Sequence, residues 1–356
     1  MRSGLILRSA ALLSVVGLLL TLPRPTMEAR APVLEPLPGT AYFPANDRQH
    51  GWELWASDGT AQGTRMVKDI RPGRGGRPPA PLIGVDGVLY FAADDGQHGL
   101  ELWLTDGTAA GTRMVRDIFP GEKGSFPDSG YRVYDAIGHA VYFAARDGVH
   151  GQELWRTDGT PDGTSMVRDI RPRRKGAGPF GLAHLGTTLH LFADDGVHGL
   201  ELWESDGTKA GTVMVADIAP GSDGSQPFLS TAGSDRLYFT ANDGRHGTQL
   251  WRSDGSASGT IRLTDLAPGA TSILSNLIPL GDEMYFTMCV HDCSLWATDG
   301  SVGGTRSILG RPDRYGQASG EPLAAGDAVF FTAGRPGPRQ GAVAQRRTST
   351  RNADGD

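Results

Sequence analysis

The apolar positions of this chain fall in short alternating runs, closed by Asp-Gly and Pro-Gly pairs. Around Trp103, Ala80-Pro81-Leu82-Ile83 is one such run, followed by the turn Val85-Asp86-Gly87. Val88-Leu89-Tyr90-Phe91-Ala92 is a second, ended by Asp94-Asp95-Gly96-Gln97-His98-Gly99. Glu101-Leu102-Trp103-Leu104 is a third and leads into Asp106-Gly107, a pair that favours a tight hairpin. The fourth, from Thr112 to Ile118, alternates with period two and stops at Pro120-Gly121. The pattern predicts four antiparallel strands, with Tyr90 and Phe91 projecting to opposite sides of their strand.

The unit recurs. Its anchoring tryptophans are Trp55, Trp103, Trp155, Trp203, Trp251 and Trp296, spaced 48, 52, 48, 48 and 45 residues apart. Short strands repeated at roughly 48 residues predict an all-β chain, a β-propeller of four-stranded repeats with six visible and a seventh interrupted. One such unit is too small to bury a core alone, so residues 32–333 are expected to form a single stacked array. The recurring tryptophan is expected in the space between sheets. The residue after each Asp-Gly (Thr60, Thr108, Thr160, Thr208, Ser256 and Ser301) is expected to hydrogen-bond its own turn. Two closures stay open: seven blades, or six, with strands near Tyr42-Phe43 and Val329–Phe331 sharing the closing sheet.

The wording Glu53-Leu54-Trp55…Asp58-Gly59-Thr60 returns at Glu101-Leu102-Trp103…Asp106-Gly107-Thr108. It returns again at Glu153-Leu154-Trp155…Asp158-Gly159-Thr160 and Glu201-Leu202-Trp203…Asp206-Gly207-Thr208. Degenerate copies follow at Gln249-Leu250-Trp251 and Ser294-Leu295-Trp296. Over about residues 41–310 the chain resembles the bacterial ELWxxDGT-repeat proteins. The resemblance implies an exported, propeller-like array and brings no catalytic residues with it. The Ser-Asp-Gly-Thr turn is also similar to the Asp-box turn of sialidase propellers, although its spacing differs.

Composition agrees with this reading. The chain has 51 Gly, 23 Pro and 38% hydrophobic residues, which suits a turn-dense all-β protein and leaves no amphipathic helical stretch. Ala10–Leu20 is an apolar run of signal-peptide size behind Arg2 and Arg8. Residues 1–31 are therefore expected to direct export, with the cleavage point open because Pro32 follows Ala29-Arg30-Ala31. No later segment is long and apolar enough to span a membrane. The net charge of −6 conceals +3 in residues 1–31 and +3 in residues 334–356, which leaves −12 on the repeats. An acidic body disfavours nucleic acid and anionic membranes and leaves cations as plausible partners.

Candidate chemistry is sparse. His50, His98, His150, His198 and His246 occupy equivalent turns, where bracing of the turn competes with a weak metal site. Asp94-Asp95-Gly96, Asp194-Asp195-Gly196 and Asn242-Asp243-Gly244 place hard oxygens around a glycine and are candidate Ca²⁺ ligands. They lack the longer alternating ligand series of an EF-hand, so solvated Asp-Gly turns are the competing reading. Cys289 and Cys293 are the only cysteines and bracket a shortened turn, a spacing that in an exported protein reads as a disulfide. A Cys-x-His-x-Cys metal or redox site is the rival. No Ser-His-Asp spacing, phosphate loop or zinc motif occurs.

The seventh unit starts in register, with Pro322-Leu323 and Gly326-Asp327-Ala328-Val329-Phe330-Phe331-Thr332-Ala333, and then residues 334–356 match nothing. Arg339–Arg347 can be encoded as CGG CAA GGA GCT GTG GCG CAG CGA CGG. Read one base later, with the following ACN, this gives Gly-Lys-Glu-Leu-Trp-Arg-Ser-Asp-Gly. The same frame permits Asp-Asp, two variable positions and His-Gly upstream, and Gly-Thr-Arg-Met-Val downstream. Only the Thr after Asp-Gly fails. Residues 334–356 are accordingly expected to be a frameshift product, disordered and unpaired.

Two function classes follow. The first is an exported, non-enzymatic binding or scaffold protein that holds a surface protein, a polysaccharide or cations and needs no cofactor, Ca²⁺ excepted. The second is an extracellular propeller hydrolase or lyase acting on glycans through a central pocket.

Overall fold

The computed structural model describes residues 39–126, 134–228, 230–232, 235–265, 273–289, 293–308, 323–325, 328–334 and 340–346. The chain divides into two compact units, Met1–Val33 and Leu34–Asp356, and every described residue belongs to the second. Residues 1–31, read as an export signal, thus lie outside the described residues. Every regular element among the described residues is a strand.

The strands form seven antiparallel sheets, each in chain order. Five have four strands and the first and last have three. The second sheet shows the plan: Ala80–Val85, Val88–Asp94, Leu100–Thr105 and Arg113–Met114, in that spatial order. The opening strands of the second to fifth sheets, from Ala80–Val85 to Ser230–Ala232, lie side by side in series, so they face the axis of the array. This is a β-propeller.

The first sheet begins with Ala41–Asn46, which corresponds to the second strand of the other sheets, and adds Trp52–Ser57 and Arg65–Met66. The last consists of Leu323–Ala325, Ala328–Gly334 and Gln340–Arg346. The strands at Tyr42-Phe43 and Val329–Phe331 therefore sit in separate sheets, which overturns the six-bladed closure in which they share one.

Side-chain alternation places the core between the sheets. Phe91 and Trp103 stand opposite each other in register, with ring centroids 6.4 Å apart, and pack on Leu54, Ala56 and Val67 of the first sheet. Tyr90, Leu102 and Leu104 leave the other side of the second sheet and meet Val141, Phe143 and Trp155 of the third. Trp103, Trp155 and Trp203 are buried, as a core role requires. Each buried aromatic or leucine contributes roughly 1.5–3 kcal/mol by leaving water.

The fourth strand is shorter than the alternation predicts: two residues at Arg113–Met114, four at Ser165–Arg168. The cause is local. Pairing continues one step through Val115 N–H to Leu102 O, and three residues on a buried glutamate captures the N–H groups of Ile118 and Phe119.

The expectation of an unpaired stretch after residue 333 fails at Gln340–Arg346, which pair with Ala328–Gly334. Backbone pairing depends little on side-chain identity, and a strand edge offers unmatched N–H and C=O groups to any segment of suitable length.

Candidate functional site

Three polar assemblies recur along the array: an Asp-His dyad in the first five repeats, an Asp-Gly-Thr or Asp-Gly-Ser turn in the first six, and a buried glutamate in the first four. The first lies in the turn between second and third strands. Asp95 Oδ1 accepts the backbone N–H groups of Gln97 and His98, both at 2.9 Å, and its Oδ2 lies 2.7 Å from His98 Nδ1. The dyad recurs at Asp47–His50 (2.6 Å), Asp147–His150 (2.7 Å), Asp195–His198 (2.8 Å) and Asp243–His246 (2.6 Å). Bonding to the aspartate raises the pKa of His50, His98, His150 and His198 above that of a free imidazole. Asp47 is held at about 2, chiefly by the His50 backbone N–H and then by the His50 ring. Gly99 closes the turn at φ 68°; a Cβ there would stand 2.5 Å from Glu122 O and Gly124 N. Only glycine permits this approach to the Pro-Gly loop. The histidines are thus turn braces, each tied to its own aspartate.

The second assembly is the Asp-Gly-Thr turn. Asp106 Oδ1 accepts Thr108 N–H (2.9 Å) and Thr108 Oγ1–H (2.7 Å), while Thr108 Oγ1 accepts Gly111 N–H (2.9 Å). Thr112 Oγ1 donates to Thr108 O at 2.6 Å and lies 2.7 Å from buried Thr105 Oγ1. Ser256 and Ser301 reproduce the network in the later repeats. The expected bracing role of these hydroxyls is what the structure contains.

The third assembly is the glutamate of the Glu-Leu-Trp word. The Glu101 side chain is fully buried, and its two oxygens accept the N–H groups of Ile118 (3.3 Å) and Phe119 (3.1 Å). Glu53, Glu153 and Glu201 hold Ile70/Arg71, Ile170/Arg171 and Ile218/Ala219 in the same way. Burial pushes Glu101 and Glu153 up to about 7, against the lowering effect of these N–H bonds. In the fifth repeat Gln249 replaces the glutamate, and Thr264 stands where the first three repeats have Lys68, Arg116 and Arg168. Thr264 Oγ1–H then donates to Gln249 Oε1 at 2.8 Å. Spacing alone does not reveal this clamp, because a lone Glu before Leu-Trp reads as a solvent-facing strand position; its recurrence beside a fixed Asp-Ile word 17 residues on was the available signal.

The candidate Ca²⁺ ligands are brought into single turns but already hold protein donors. Asp94 Oδ2 pairs with Arg71 Nη1 at 2.7 Å and its Oδ1 accepts Gly96 N–H. Asp194 pairs with Arg171 in the same way, and its Oδ1 accepts Gly196 N–H. Asp95 and Asp195 carry the dyads described above, Asn242 Oδ1 accepts Gly244 N–H, and Asp243 holds Arg245 and His246. Among the described residues no group of three or more His, Cys, Asp or Glu converges as a metal site would require. Cys289 and Cys293 stand directly opposite each other in the sixth sheet; their side chains lie outside the description.

Charged groups that the repeats do not share gather at one place. A cavity of about 190 Å³ between the fifth and sixth sheets is lined by Asp235, Arg236, Asp282 and Glu283, which the first four repeats lack, beside Tyr238 and the turn aspartate Asp299, which recur. Glu283 is bound there by Arg306 Nη2 (2.7 Å) and by Tyr285 O–H (2.8 Å).

No protein-family model and no curated protein matches the chain. Among solved structures, it is similar to a prolyl endopeptidase at 14% identity and TM-score 0.49, over 84% of this chain and 45% of that one. A puromycin-hydrolyzing peptidase of Mycobacterium tuberculosis matches at 12% identity and TM-score 0.46, over 87% of this chain and 51% of that one. TolB from Acinetobacter baumannii matches at 12% identity and TM-score 0.38, over 75% and 62%. The chain spans about half the length of the two peptidases.

Proposed function

We propose that this is an exported, non-enzymatic binding or scaffold protein, whose propeller presents a surface to another surface protein or a polysaccharide. One observation supports the reading above others: the polar residues that recur from repeat to repeat are engaged inside the fold. The glutamate holds a loop, the Asp-His dyad braces a turn, and the Asp-Gly-Thr network closes a hairpin. A site that acts on a ligand would be built from residues the repeats do not share, and such residues meet at the cavity beside Arg236.

The test is a glycan array probed with the full chain, followed by product analysis on each ligand retained. Binding without turnover supports the proposal. Release of shortened glycan at catalytic protein concentration would replace it with a propeller hydrolase or lyase.

A further inference from the structure

The last sheet repeats a backbone register found in the second. Phe331 pairs with Val343, Thr332 with Ala342 and Ala333 with Gly341. In the second sheet Phe91 pairs with Trp103, Ala92 with Leu102 and Ala93 with Glu101. A constant offset of 240 residues relates the two sheets, so Gly341-Ala342-Val343 occupy the places of Glu101-Leu102-Trp103. The length of the chain through this hairpin is that of an intact repeat, while the Glu-Leu-Trp word is missing from it.

A shift of one base changes the residues and preserves their number. Under the same offset of 240, synonymous codons of the shifted frame permit Asp-Asp at positions 334 and 335, His-Gly at 338 and 339, and Glu-Leu-Trp at 341–343. They likewise permit Asp-Gly at 346 and 347, and Gly-Thr-Arg-Met-Val at 351–355. These are the places held by Asp94-Asp95, His98-Gly99, Glu101-Leu102-Trp103, Asp106-Gly107 and Gly111-Thr112-Arg113-Met114-Val115. The variable position 336, where the second repeat has Gly96, matches a site that also accepts Arg48 at φ 68° in the first repeat. Trp and Met each have a single codon, so each of these residues requires specific bases in the gene.

We propose that the bases encoding residues 334–356 carry the seventh repeat one frame away. In that frame the strand beside Ala328–Gly334 contains Glu-Leu-Trp, and the segment that follows adds the outer fourth strand, which is missing from the last sheet among the described residues. The occupant of that sheet's outer edge is thus a segment of the same gene, of the same Arg-Met type as Arg113–Met114. No foreign partner is needed for it.

The test begins with the nucleotide sequence. The proposal requires GTG for Val343, GCT for Ala342, GAT for Asp354 and GGT for Gly355; any other codon at Val343 or Asp354 overturns it. The second arm compares the full chain as encoded with the product of a coding sequence lacking one base near the Ala333 codon. Restoring the Glu-Leu-Trp residues and adding a strand should raise the melting temperature by roughly 5 °C or more. A stop codon before the Met-Val pair, or a corrected protein that melts no higher, overturns the structural half of the proposal.

Discussion

His190 lies against Gly255 of the next sheet, in the place where the other described seams put a tyrosine hydroxyl. Tyr42 meets Gly107, Tyr90 meets Gly159, Tyr142 meets Gly207 and Tyr238 meets Gly300 in the same manner. The His190 side chain is buried, neither ring nitrogen has a hydrogen-bond partner of good geometry, and burial lowers its pKa below 6.5.

The unfolded chain therefore binds the His190 proton more tightly than the folded one. The stability contributed by the neutral ring is present above about pH 6.5 and is lost as pH falls through the lower folded value. His190→Tyr should stabilise the protein by about 1 kcal/mol at pH 7.5. Its advantage over the parent should widen at pH 5, as read from urea midpoints at the two values. An advantage that stays constant or shrinks at pH 5 would count against a buried neutral imidazole.

The seams carry a second tie. Lys68 Nζ donates to Thr112 O at 2.7 Å, Arg116 Nη1 to Thr164 O at 2.7 Å, and Arg168 Nη1 to Thr212 O. Ala216 holds the corresponding position in the fourth sheet, since Leu202 pairs with it as Leu154 pairs with Arg168. Ala216→Arg is expected to reach Thr260 O and add about 1 kcal/mol, whereas Arg116→Ala should remove a similar amount. Thermal unfolding of the two variants gives the comparison, and shifts of equal sign would refute the tie.

Much of this architecture was legible in the sequence because period-two alternation and Asp-Gly turns fix strands and hairpins locally. Tyr90 and Phe91 do face opposite layers, Trp103 is buried, and Thr108 does bond its turn. Less legible were the partners of polar side chains. Nothing local in Asp94-Asp95-Gly96 indicates that Arg71, 23 residues earlier, fills one carboxylate. The fate of Glu101 depends on a contact 17 residues away, beyond any local window. The pairing of Gln340–Arg346 was missed because its composition is that of a loop, while the free edge of Ala328–Gly334 selects on length and backbone.

Calcium should leave the melting curve where it is. The turn carboxylates already accept Arg71, Arg171 and their own His and Gly donors, so a cation must first displace them. Differential scanning with 5 mM Ca²⁺ or with chelator, concentrations chosen on the order of weak extracellular sites, should give coincident traces. A rise with Ca²⁺ that chelator reverses would establish a site by mass action.

The proposed Cys289–Cys293 disulfide rests on register. Directly opposed residues of an antiparallel pair have Cα atoms about 4.5–5.5 Å apart, inside the range a disulfide spans. Thiol titration of denatured, unreduced protein made in an oxidising compartment should find no reactive thiol. Two would refute the bond.

The central claim is that the recurring polar words hold the fold together, and Glu101 puts it most plainly at risk. A buried carboxyl raised to about 7 is also what a general acid looks like. As a clamp on Ile118 and Phe119 N–H, its removal in Glu101→Ala strands two buried donors and should cost about 2–4 kcal/mol. Because its folded pKa lies above the unfolded value, its contribution is full below about pH 4.5 and fades as pH rises through about 7. Urea unfolding of parent and Glu101→Ala should therefore show a large loss at pH 5 and a smaller one at pH 8. A variant as stable as the parent at both values would contradict the account.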